Sequence, residues 1–376
     1  MKITAVKVFE VEGAPRSGQA LYEIPRGGLA PYEVTPHRQV FTEVETDAGI
    51  SGLCCGGSAE VGALGRSLIG EDPVRVEHIW ERLYSQSYNR ARNLGSLSVL
   101  DVALWDLIGK ARGEPVYRLL GGPCRERIRA YAAMLGFSTE PEAAAERSLE
   151  QVEKGYTALK WYLPCGEGDG EEGLARNVAL IRAVREAVGE EIDLMVDCIL
   201  SGSSGNSLLY AIKLARRLEP YGPTWLEEPL NPEDLEAYVK LSRATSIPLA
   251  FGERLYTRWQ FKQVLESGAA TVIQPEPLAT GGLTEMRRIA ALAATYGVPL
   301  IPHANESCRS AIHLLFAHPN RICPLAEWGV KINHNVQAFC RDFYEPVNGY
   351  FELPPGPGCG YELDVEKVVR RRELVG

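Results

Sequence analysis

Three apolar segments of the sequence each end on a carboxylate, and this series constrains the fold more than any other feature. The segments are DLMVD, which ends at Asp197, TWLEEP, which carries Glu227, and IPLAFGE, which ends at Glu253. Successive carboxylates lie about 25 to 30 residues apart, which is the length of one βα unit. Parallel neighbouring strands end on the same edge of a sheet, so we expect the three acids to converge on one point.

Three clustered carboxylates repel one another unless a cation lies between them. A site made only of oxygen ligands suits a hard ion such as Mg²⁺. We therefore predict that Asp197, Glu227 and Glu253 together bind one divalent metal ion. The alternative is a set of unlinked surface acids that cap the N-termini of helices.

Strand-like and helix-like segments alternate with a steady period from Ala130 onward. The helix-like segments, such as LTEMRRIAALAATYG, repeat apolar residues every three to four positions. The candidate strands are RAYAAML, TALKWYL, DLMVDC, TWLEEP, PLAFGE, TVIQPEP, VPLIPHA and CPLAEW. Eight such units are expected to close into a (β/α)₈ TIM barrel. An open doubly wound sheet is the alternative, but the first strand is not followed by a GxGxxG motif.

The first 125 residues have a different organisation, typical of an α+β domain. Three strand-like pieces, KITAVKVFEVE, RQVFTEVETDAG and SGLCCGG, precede helical segments at about 73–86 and 96–111. A Gly- and Pro-rich stretch of more than 20 residues separates the first two strands. A loop of that length is typical of a lid, and its candidate substrate-binding side chains are Arg16, Tyr22, Arg26 and His37. A merely flexible loop is the alternative.

These patterns divide the chain into three parts. We predict a capping domain at 1–125, a barrel at 126–335 and a C-terminal segment at 336–376 that returns to the capping domain. The last part is rich in Gly and Pro and ends in the charged run RRRELVG.

Composition excludes several classes of protein. The net charge of −9 comes from interspersed acidic and basic residues, so no basic stripe points to nucleic acid and no polybasic patch points to a membrane. No apolar run approaches the length of a membrane helix, and the start of the sequence lacks the apolar core of a signal peptide. The nine cysteines include no CxxC pair, which argues against a zinc ribbon and against a disulfide framework. We therefore expect a cytoplasmic protein that takes a small-molecule partner.

Further ionisable side chains stand at the ends of the other candidate strands. They are Lys160, Tyr162, Glu276, His303 and Glu327. Around a metal ion, Lys160 and His303 are the candidate proton carriers on opposite sides, and a divalent ion is expected to lower the pKa of the lysine toward the range of a base. Glu276 is placed to accept a hydrogen bond from the ring of His303 and so to raise its basicity. A histidine buried in the core and bonded to a backbone carbonyl is the alternative.

Several longer motifs give the chain a family resemblance. They are SLSVLDVALWDLIGKARGEPVYRLLGG at 96–122, the strand of Lys160, Asp197, WLEEP, GE at 252–253, QPEPLATGG and PHANES. With these motifs the whole chain resembles the mandelate racemase and muconate lactonizing type of the enolase superfamily. The resemblance implies a modified barrel with a capping domain that the C-terminal segment completes. It also implies one Mg²⁺ per subunit, held by Asp197, Glu227 and Glu253, which binds a substrate carboxylate while a base removes the neighbouring α proton.

The sequence departs from the family pattern at four places. Tyr162 stands where a second lysine is usual, and Glu276 stands where an aspartate usually partners the histidine. Arg254 follows the third metal ligand and is a candidate for binding a substrate oxygen. Cys198 and Ile199 follow Asp197, where a polar residue often assists the metal.

The resemblance is nearest to the rhamnonate dehydratase branch, so the expected activity is dehydration of a sugar acid to a 2-keto-3-deoxy acid by a homo-oligomeric lyase. Racemisation or epimerisation of a hydroxy acid is the first alternative, since Lys160 and His303 would supply bases on two faces. A catalytically degenerate relative that still binds metal is the second. Cycloisomerisation would need a further lysine that the sequence lacks.

Overall fold

The computed structural model describes residues 1–14, 37–89, 94–199, 205–304 and 308–375. Its N-terminal part is a four-stranded antiparallel sheet with helices packed against it. The chain order there is β1 Ile3–Glu12, β2 Arg38–Thr46, β3 Ser51–Cys55, α1 Ala59–Gly65, α2 Val76–Asn89, α3 Leu94–Arg112 and α4 Val116–Leu119. Val6 and Val8 of β1 are buried. The alternation resumes one position later with Phe9 and Val11, because the pairing with the last strand of the chain shifts register between Val8 and Phe9.

Helix α3 lies at the centre of the molecule. All but a few of its residues are buried, and it packs on β3 as well as on helices of the barrel. A helix that is apolar on every side must be covered on every side, so α3 joins the capping domain to the barrel.

The rest of the chain forms the barrel. Its elements are β4 Arg127–Ala133, α5 Pro141–Glu153, β5 Ala158–Tyr162, α6 Gly170–Val188, β6 Asp193–Asp197, α7 Leu208–Leu218, β7 Trp225–Glu227, α8 Leu235–Ser242, β8 Leu249–Phe251, α9 Thr257–Ser267, β9 Val272–Ile273, α10 Pro277–Thr280, α11 Gly282–Tyr296, α12 Cys308–Phe316 and β10 Ala326–Gly329. The parallel strands run in the order β10-β4-β5-β6-β7-β8-β9. The fold is the predicted modified TIM barrel with an α+β cap.

The seventh predicted strand, VPLIPHA, is reduced to a single bridge between Leu300 and Ile273. Prolines flank it at 299 and 302, and a proline nitrogen cannot donate to a sheet. Leu300 still donates its N–H to Ile322 O at 2.8 Å, which continues the wall toward β10. The segment therefore follows the barrel wall without forming a regular strand, and it delivers His303 to the rim.

The last elements are α13 Ile332–Val336, β11 Tyr350–Glu352 and β12 Arg370–Val375. Strand β11 pairs antiparallel with β4, and β12 pairs antiparallel with β1, so that Val375 lies opposite Val8. The charged run Arg370–Val375 is thus an edge strand of the capping sheet. Its exposed arginines pair with Glu43 and Glu10, and Arg371 covers the ring of Phe9.

The interior of the barrel is lined by side chains from the strands β4 to β9, from the segment after Leu300 and from the residue before β10. This cluster contains Tyr131, Ala133, Ala158, Met195, Trp225, Ala250, Val272, Ile301 and Leu325. Its small alanines leave room for the polar side chains just above them. All nine cysteines are free thiols, and eight of them are buried. Across the described residues, every helix is too short or too polar to cross a lipid bilayer.

Candidate active site

Lys160 stands at the centre of the polar groups above the barrel interior. Its Nζ lies 2.6 Å from Glu227 Oε1 and 3.2 Å from Asp197 Oδ2. Glu327 Oε1 lies 2.9 Å away on the opposite side, and no part of the lysine side chain is exposed. Strand pairing explains the convergence, because Asp197 is in register with Glu227 on the neighbouring strand.

This arrangement changes the expected ionisation of Lys160. Burial alone would lower the pKa of Lys160, but the charges of Glu227 and Glu327 outweigh burial and raise that pKa well above its usual range. The lowered pKa is expected for Lys160 beside a divalent ion, so it stays a prediction; here the ammonium itself is the counter-ion of the carboxylates. Lys160 is a fixed cation in this structure, enclosed on all sides.

Glu227 is held by donors on both of its oxygens. Its Oε1 accepts from Lys160, and its Oε2 accepts from Trp225 Nε1 at 2.9 Å and from Gln274 Nε2 at 2.7 Å. Burial opposes the charge of Glu227, but Lys160 and the hydrogen bond from Gln274 hold its pKa below the ordinary value. The carboxylate is thus charged and fixed in orientation.

Asp197 and Glu227 are close enough to interact directly, and both are almost fully buried. Burial raises the pKa of Asp197 well above its ordinary value, and the charges of Glu227 and Glu253 raise it further. Such mutual repulsion among buried carboxylates fits the binding of a hard cation. Within the described residues, no three acidic, histidine or cysteine side chains already surround one point as a ligand set. The three carboxylates thus fit Mg²⁺ in their charge and in their oxygen donors. Their assignment as the metal ligands stays a prediction.

Glu253 lies on the other side of the rim, after the end of β8. Its Oε1 is 3.4 Å from Arg254 Nε and its Oε2 is 3.3 Å from His303 Nε2. Arg254 also approaches Glu228, a buried residue with a φ of +40°. Burial and the charge of Glu253 raise the pKa of Glu228 to about 8. Arg254 therefore neutralises part of the acidic rim and leaves over a third of its side chain exposed.

His303 is held between two carboxylates. Its Nδ1–H donates to Glu276 Oε2 at 2.8 Å, the contact expected from the sequence, while Nε2 points toward Glu253. Glu276 is itself fixed, because its Oε1 accepts from the N–H of Leu278 as the N-cap of α10. Burial lowers the pKa of His303, but the charges of Glu327, Glu253 and Glu276 outweigh this and raise the pKa well above its usual range.

Glu327 and Tyr162 complete the central group. Glu327 Oε2 accepts from the N–H of Ala304, which ties β10 to the segment that carries His303. The ring of Tyr162 lies 5.4 Å from Lys160 Nζ, and its buried hydroxyl has no hydrogen-bond partner among the described residues. Burial raises the pKa of Tyr162 well above its ordinary value, so its hydroxyl stays protonated. Trp161 points outward to the helix layer, where its Nε1 donates to Ser148 of α5.

The predicted lid falls largely outside the described residues. Arg16, Tyr22 and Arg26 lie there, and their proposed contact with substrate stays a prediction. His37 is described. Its Nε2–H donates to Asn335 O at 3.1 Å, its ring stacks on Phe339, and it lines a cavity of about 560 Å³ beside α13.

Two functional neighbours were missed by the sequence reasoning. Trp225 and Gln274 both bind Glu227, yet neither was assigned a role. Trp225 was detectable, since alternate residues of a strand share a face and it precedes Glu227 by two. Gln274 gave a weaker signal, because only the pairing of distant strands brings it to Glu227.

A parallel barrel whose rim gathers carboxylates from successive strands, with a lysine and a histidine among them, is typical of the enzymes that carry their active sites at the carboxyl ends of barrel strands. Residues 143–368 match the family described as Enolase C-terminal domain-like. Residues 29–121 match the Mandelate racemase / muconate lactonizing enzyme, N-terminal domain. The chain belongs to this enolase-superfamily family, which confirms the resemblance seen in the sequence.

Relatives of known name extend over nearly the whole chain. A D-galactonate dehydratase of Variovorax paradoxus (strain S110) is 34% identical over 361 residues, covering 91% of this chain and 92% of its own. A D-galactonate dehydratase of Cronobacter sakazakii (strain ATCC BAA-894) is 32% identical over 362 residues, covering 92% and 94%.

Solved structures agree with the fold. The 3,6-anhydro-D-galactonate cycloisomerase from Zobellia galactanivorans superposes with a TM-score of 0.81 at 28% identity, with 98% of each chain covered. A member of the enolase superfamily from Salmonella Typhimurium gives a TM-score of 0.82 at 29% identity, covering 98% of this chain and 99% of that one.

Proposed function

We propose that this protein is a lyase that removes water from a sugar acid and yields a 2-keto-3-deoxy acid. The observation that carries the proposal is the position of His303, which is oriented by Glu276 and directs Nε2 into the carboxylate rim. The named relatives support a sugar acid as substrate, because two of them are D-galactonate dehydratases.

The residues that would hold a Mg²⁺ ion are Asp197, Glu227 and Glu253. When bound, the ion would supply positive charge to the substrate carboxylate and so acidify the α C–H bond. The chain fixes this set through donors: Trp225 and Gln274 orient Glu227, and the N–H of Ile199 bonds Asp197 Oδ1 at 2.8 Å. Arg254 is the proposed contact for a substrate oxygen.

His303 carries the proton in this proposal. The C2–H bond breaks, its electron pair forms the C2=C3 double bond, and the C3 hydroxyl leaves as water with a proton from His303. The resulting enol then takes up a proton at C3 to become the 2-keto acid. A single histidine performs both transfers when the proton and the hydroxyl leave from one face, since the ring alternates between acid and base.

Lys160 is assigned a different role from that of a free base. Its ammonium is enclosed by Asp197, Glu227 and Glu327, so it holds the carboxylates together and orients them. Tyr162, with a buried protonated hydroxyl, is proposed to line the substrate space. With Lys160 as a fixed ammonium and Tyr162 protonated, the site disfavours racemisation, which needs a competent base on each face of the α carbon.

The test is to incubate the purified protein with a panel of sugar acids and Mg²⁺ and to detect 2-keto acids with semicarbazide. His303→Asn should lower kcat by about 10²- to 10⁴-fold, the usual contribution of general acid–base catalysis, with the Mg²⁺ affinity retained. His318→Asn is the matched control, because that ring bonds only the backbone of α12 in the contacts described, and it should keep normal turnover.

Two results would contradict the proposal. Near-native turnover of His303→Asn on a confirmed substrate would move the proton transfer to another group. Deuterium incorporation at C2 without any 2-keto acid would identify a racemase or epimerase.

A further inference from the structure

Side chains of the capping domain hold the short turn that follows Glu276 in the barrel. Ser98 Oγ, on α3, accepts a hydrogen bond from the N–H of Gly281 at 2.8 Å. Trp80 Nε1, on α2, donates to the carbonyl of the same glycine at 2.7 Å. Both polar groups of Gly281 are therefore bonded by another domain, over 180 residues away in the sequence.

The next residues of the turn are held in the same way. Asp101 Oδ2 accepts from the N–H of Thr284 at 2.9 Å, and Trp105 Nε1 donates to Thr284 Oγ1 at 2.9 Å. A Cβ at Gly282 would lie 2.3 Å from Asp101 Oδ2, so the approach is possible only for glycine. We call the four side chains Trp80, Ser98, Asp101 and Trp105 the α2–α3 clasp.

A rigid path connects the clasped turn to His303. Helix α10 has only four residues, and Glu276 is its N-cap. The carbonyl of Glu276 accepts from the N–H and the hydroxyl of Thr280, the residue before Gly281. The carboxylate of Glu276 then reaches His303 Nδ1 through Oε2. A displacement of Gly281 is therefore transmitted to Glu276 within one helical turn.

We propose that the α2–α3 clasp is a set of positioning residues that holds Glu276 on His303 and thereby sets the orientation of the imidazole. The catalytic role of His303 rests on the proposed function, but the orientation of its ring does not. Misplacement of a reacting group by about 1 Å can cost roughly 100-fold in rate, so a domain contact with no access to substrate can control turnover.

The structure supplies a matched control for Ser98. Ser98 and Ser148 are both fully buried helical serines, and each donates to the carbonyl four residues earlier at 2.7 Å. Each also accepts one N–H from a different element: Gly281 in the case of Ser98 and Trp161 in the case of Ser148. Only the first of these contacts leads to Glu276.

The experiment compares Ser98→Ala with Ser148→Ala. Both should lower the thermal midpoint by a similar amount. Ser98→Ala alone should lower kcat by about tenfold, with KM and Mg²⁺ affinity unchanged, because the reacting groups are misaligned and not lost. A second pair, Trp80→Phe against Trp161→Phe, repeats the comparison with ring packing kept should either alanine variant fold poorly.

A readout independent of turnover separates this inference from the proposed function. In nitrogen-edited spectra of the histidine rings, the Nδ1–H signal of His303, assigned by its loss in His303→Asn, reports the bond to Glu276. We expect Ser98→Ala to shift and broaden this signal and Ser148→Ala to leave it unchanged. An unchanged signal in both Ser98→Ala and Trp80→Phe, or equal kcat losses in the two serine variants, would overturn the proposal even if the protein dehydrates sugar acids.

Discussion

At the scale of single residues, both oxygens of Glu227 accept hydrogen bonds from fixed donors on other side chains. Among the described residues, the neighbouring Asp197 is held by Lys160, by the N–H of Ile199 and by contact with Glu227 itself. The two acids therefore have different freedom, although they are in register on adjacent strands. The better-held acid is expected to dominate the affinity for a metal ion, since support around a ligand typically changes affinity by about 10- to 100-fold.

Glu227→Gln should abolish Mg²⁺ binding, because the amide removes a charge from the centre of the acidic rim and weakens the pairing with Lys160. Isothermal calorimetry measures the affinity, and circular dichroism checks that the fold persists. Glu228→Gln is the matched control, as this equally buried neighbour should retain binding. An equal loss of Mg²⁺ affinity in both variants would show that the position of Glu227 at the end of its strand does not define the metal site.

Glu276→Gln should shift the pH profile of kcat to lower pH. The charge of Glu276 is one of the influences that raise the pKa of His303, and glutamine keeps a hydrogen-bond acceptor without that charge. In Glu276→Gln the imidazole of His303 therefore loses its proton at a lower pH than in the wild type. Both the gain of the neutral base and the loss of the protonated acid shift with it. A profile identical to that of the wild type would remove Glu276 from the mechanism.

Glu276→Asp tests the departure from the usual family residue. Glutamate here bonds both Leu278 and His303, and a shorter arm reaches only one of them from the same backbone position. We expect lower kcat for the aspartate variant. A higher kcat for Glu276→Asp would mean that the longer glutamate side chain limits the activity of the wild type.

At the scale of secondary-structure elements, the periodicity of the sequence predicted the barrel well because each strand carries the pattern within a few residues. It also predicted the polar strand ends, including the contact between Glu276 and His303. The ion pairs of Lys160 were not predictable, since they depend on four strands at once. The reduction of VPLIPHA to a single bridge was foreseeable from Pro299 and Pro302, but the eightfold repeat favoured a full strand.

Helix α3 carries a further prediction through Asp101. Burial raises the pKa of Asp101 to about 7, opposed by the hydrogen bonds from Thr284 and by the charge of Arg288, while Glu77 adds to the rise. The folded protein thus retains a proton that the unfolded chain releases near pH 4. Asp101 therefore lowers the free energy of unfolding progressively as the pH rises from about 4 to 7. Above pH 7 this loss of stability is constant.

Asp101→Asn should remove this dependence. Relative to the wild type, the variant should gain roughly 2 to 3 kcal/mol of unfolding free energy between pH 5 and pH 7.5, as measured by urea unfolding. Asp106→Asn is the comparison and should show a weaker trend, because that buried carboxylate is paired with Lys110 at 2.6 Å. A constant difference between Asp101→Asn and the wild type across this range would contradict the prediction.

At the scale of the whole molecule, β12 joins the end of the chain to its beginning. The sequence suggested that the tail returns to the first domain, but RRRELVG has too many charges to predict a strand. Arg370–Val375 forms one because an exposed edge tolerates charged side chains, and because Glu10 on β1 and Glu43 on β2 attract the arginines.

Deletion of residues 370–376 should lower the thermal midpoint by roughly 5 °C or more, because Phe9 and the outer edge of β1 become exposed. The carboxylate rim lies on other elements, so the kcat at low temperature should persist. Arg372→Ala is the control, since loss of one exposed ion pair contributes at most about 1 kcal/mol. An unchanged thermal midpoint in the truncated protein would show that β12 does not contribute to stability.

The pairing of β1 with β12 also has a consequence for biosynthesis. Strand β1 leaves the ribosome before any of the barrel, whereas its outer partner leaves only after all of the barrel. Throughout translation the nascent chain therefore carries an open sheet edge, of the kind that recruits other chains. Ribosome-bound chains arrested before residue 370 should bind a chaperone that recognises exposed strands, and released full-length chains should not.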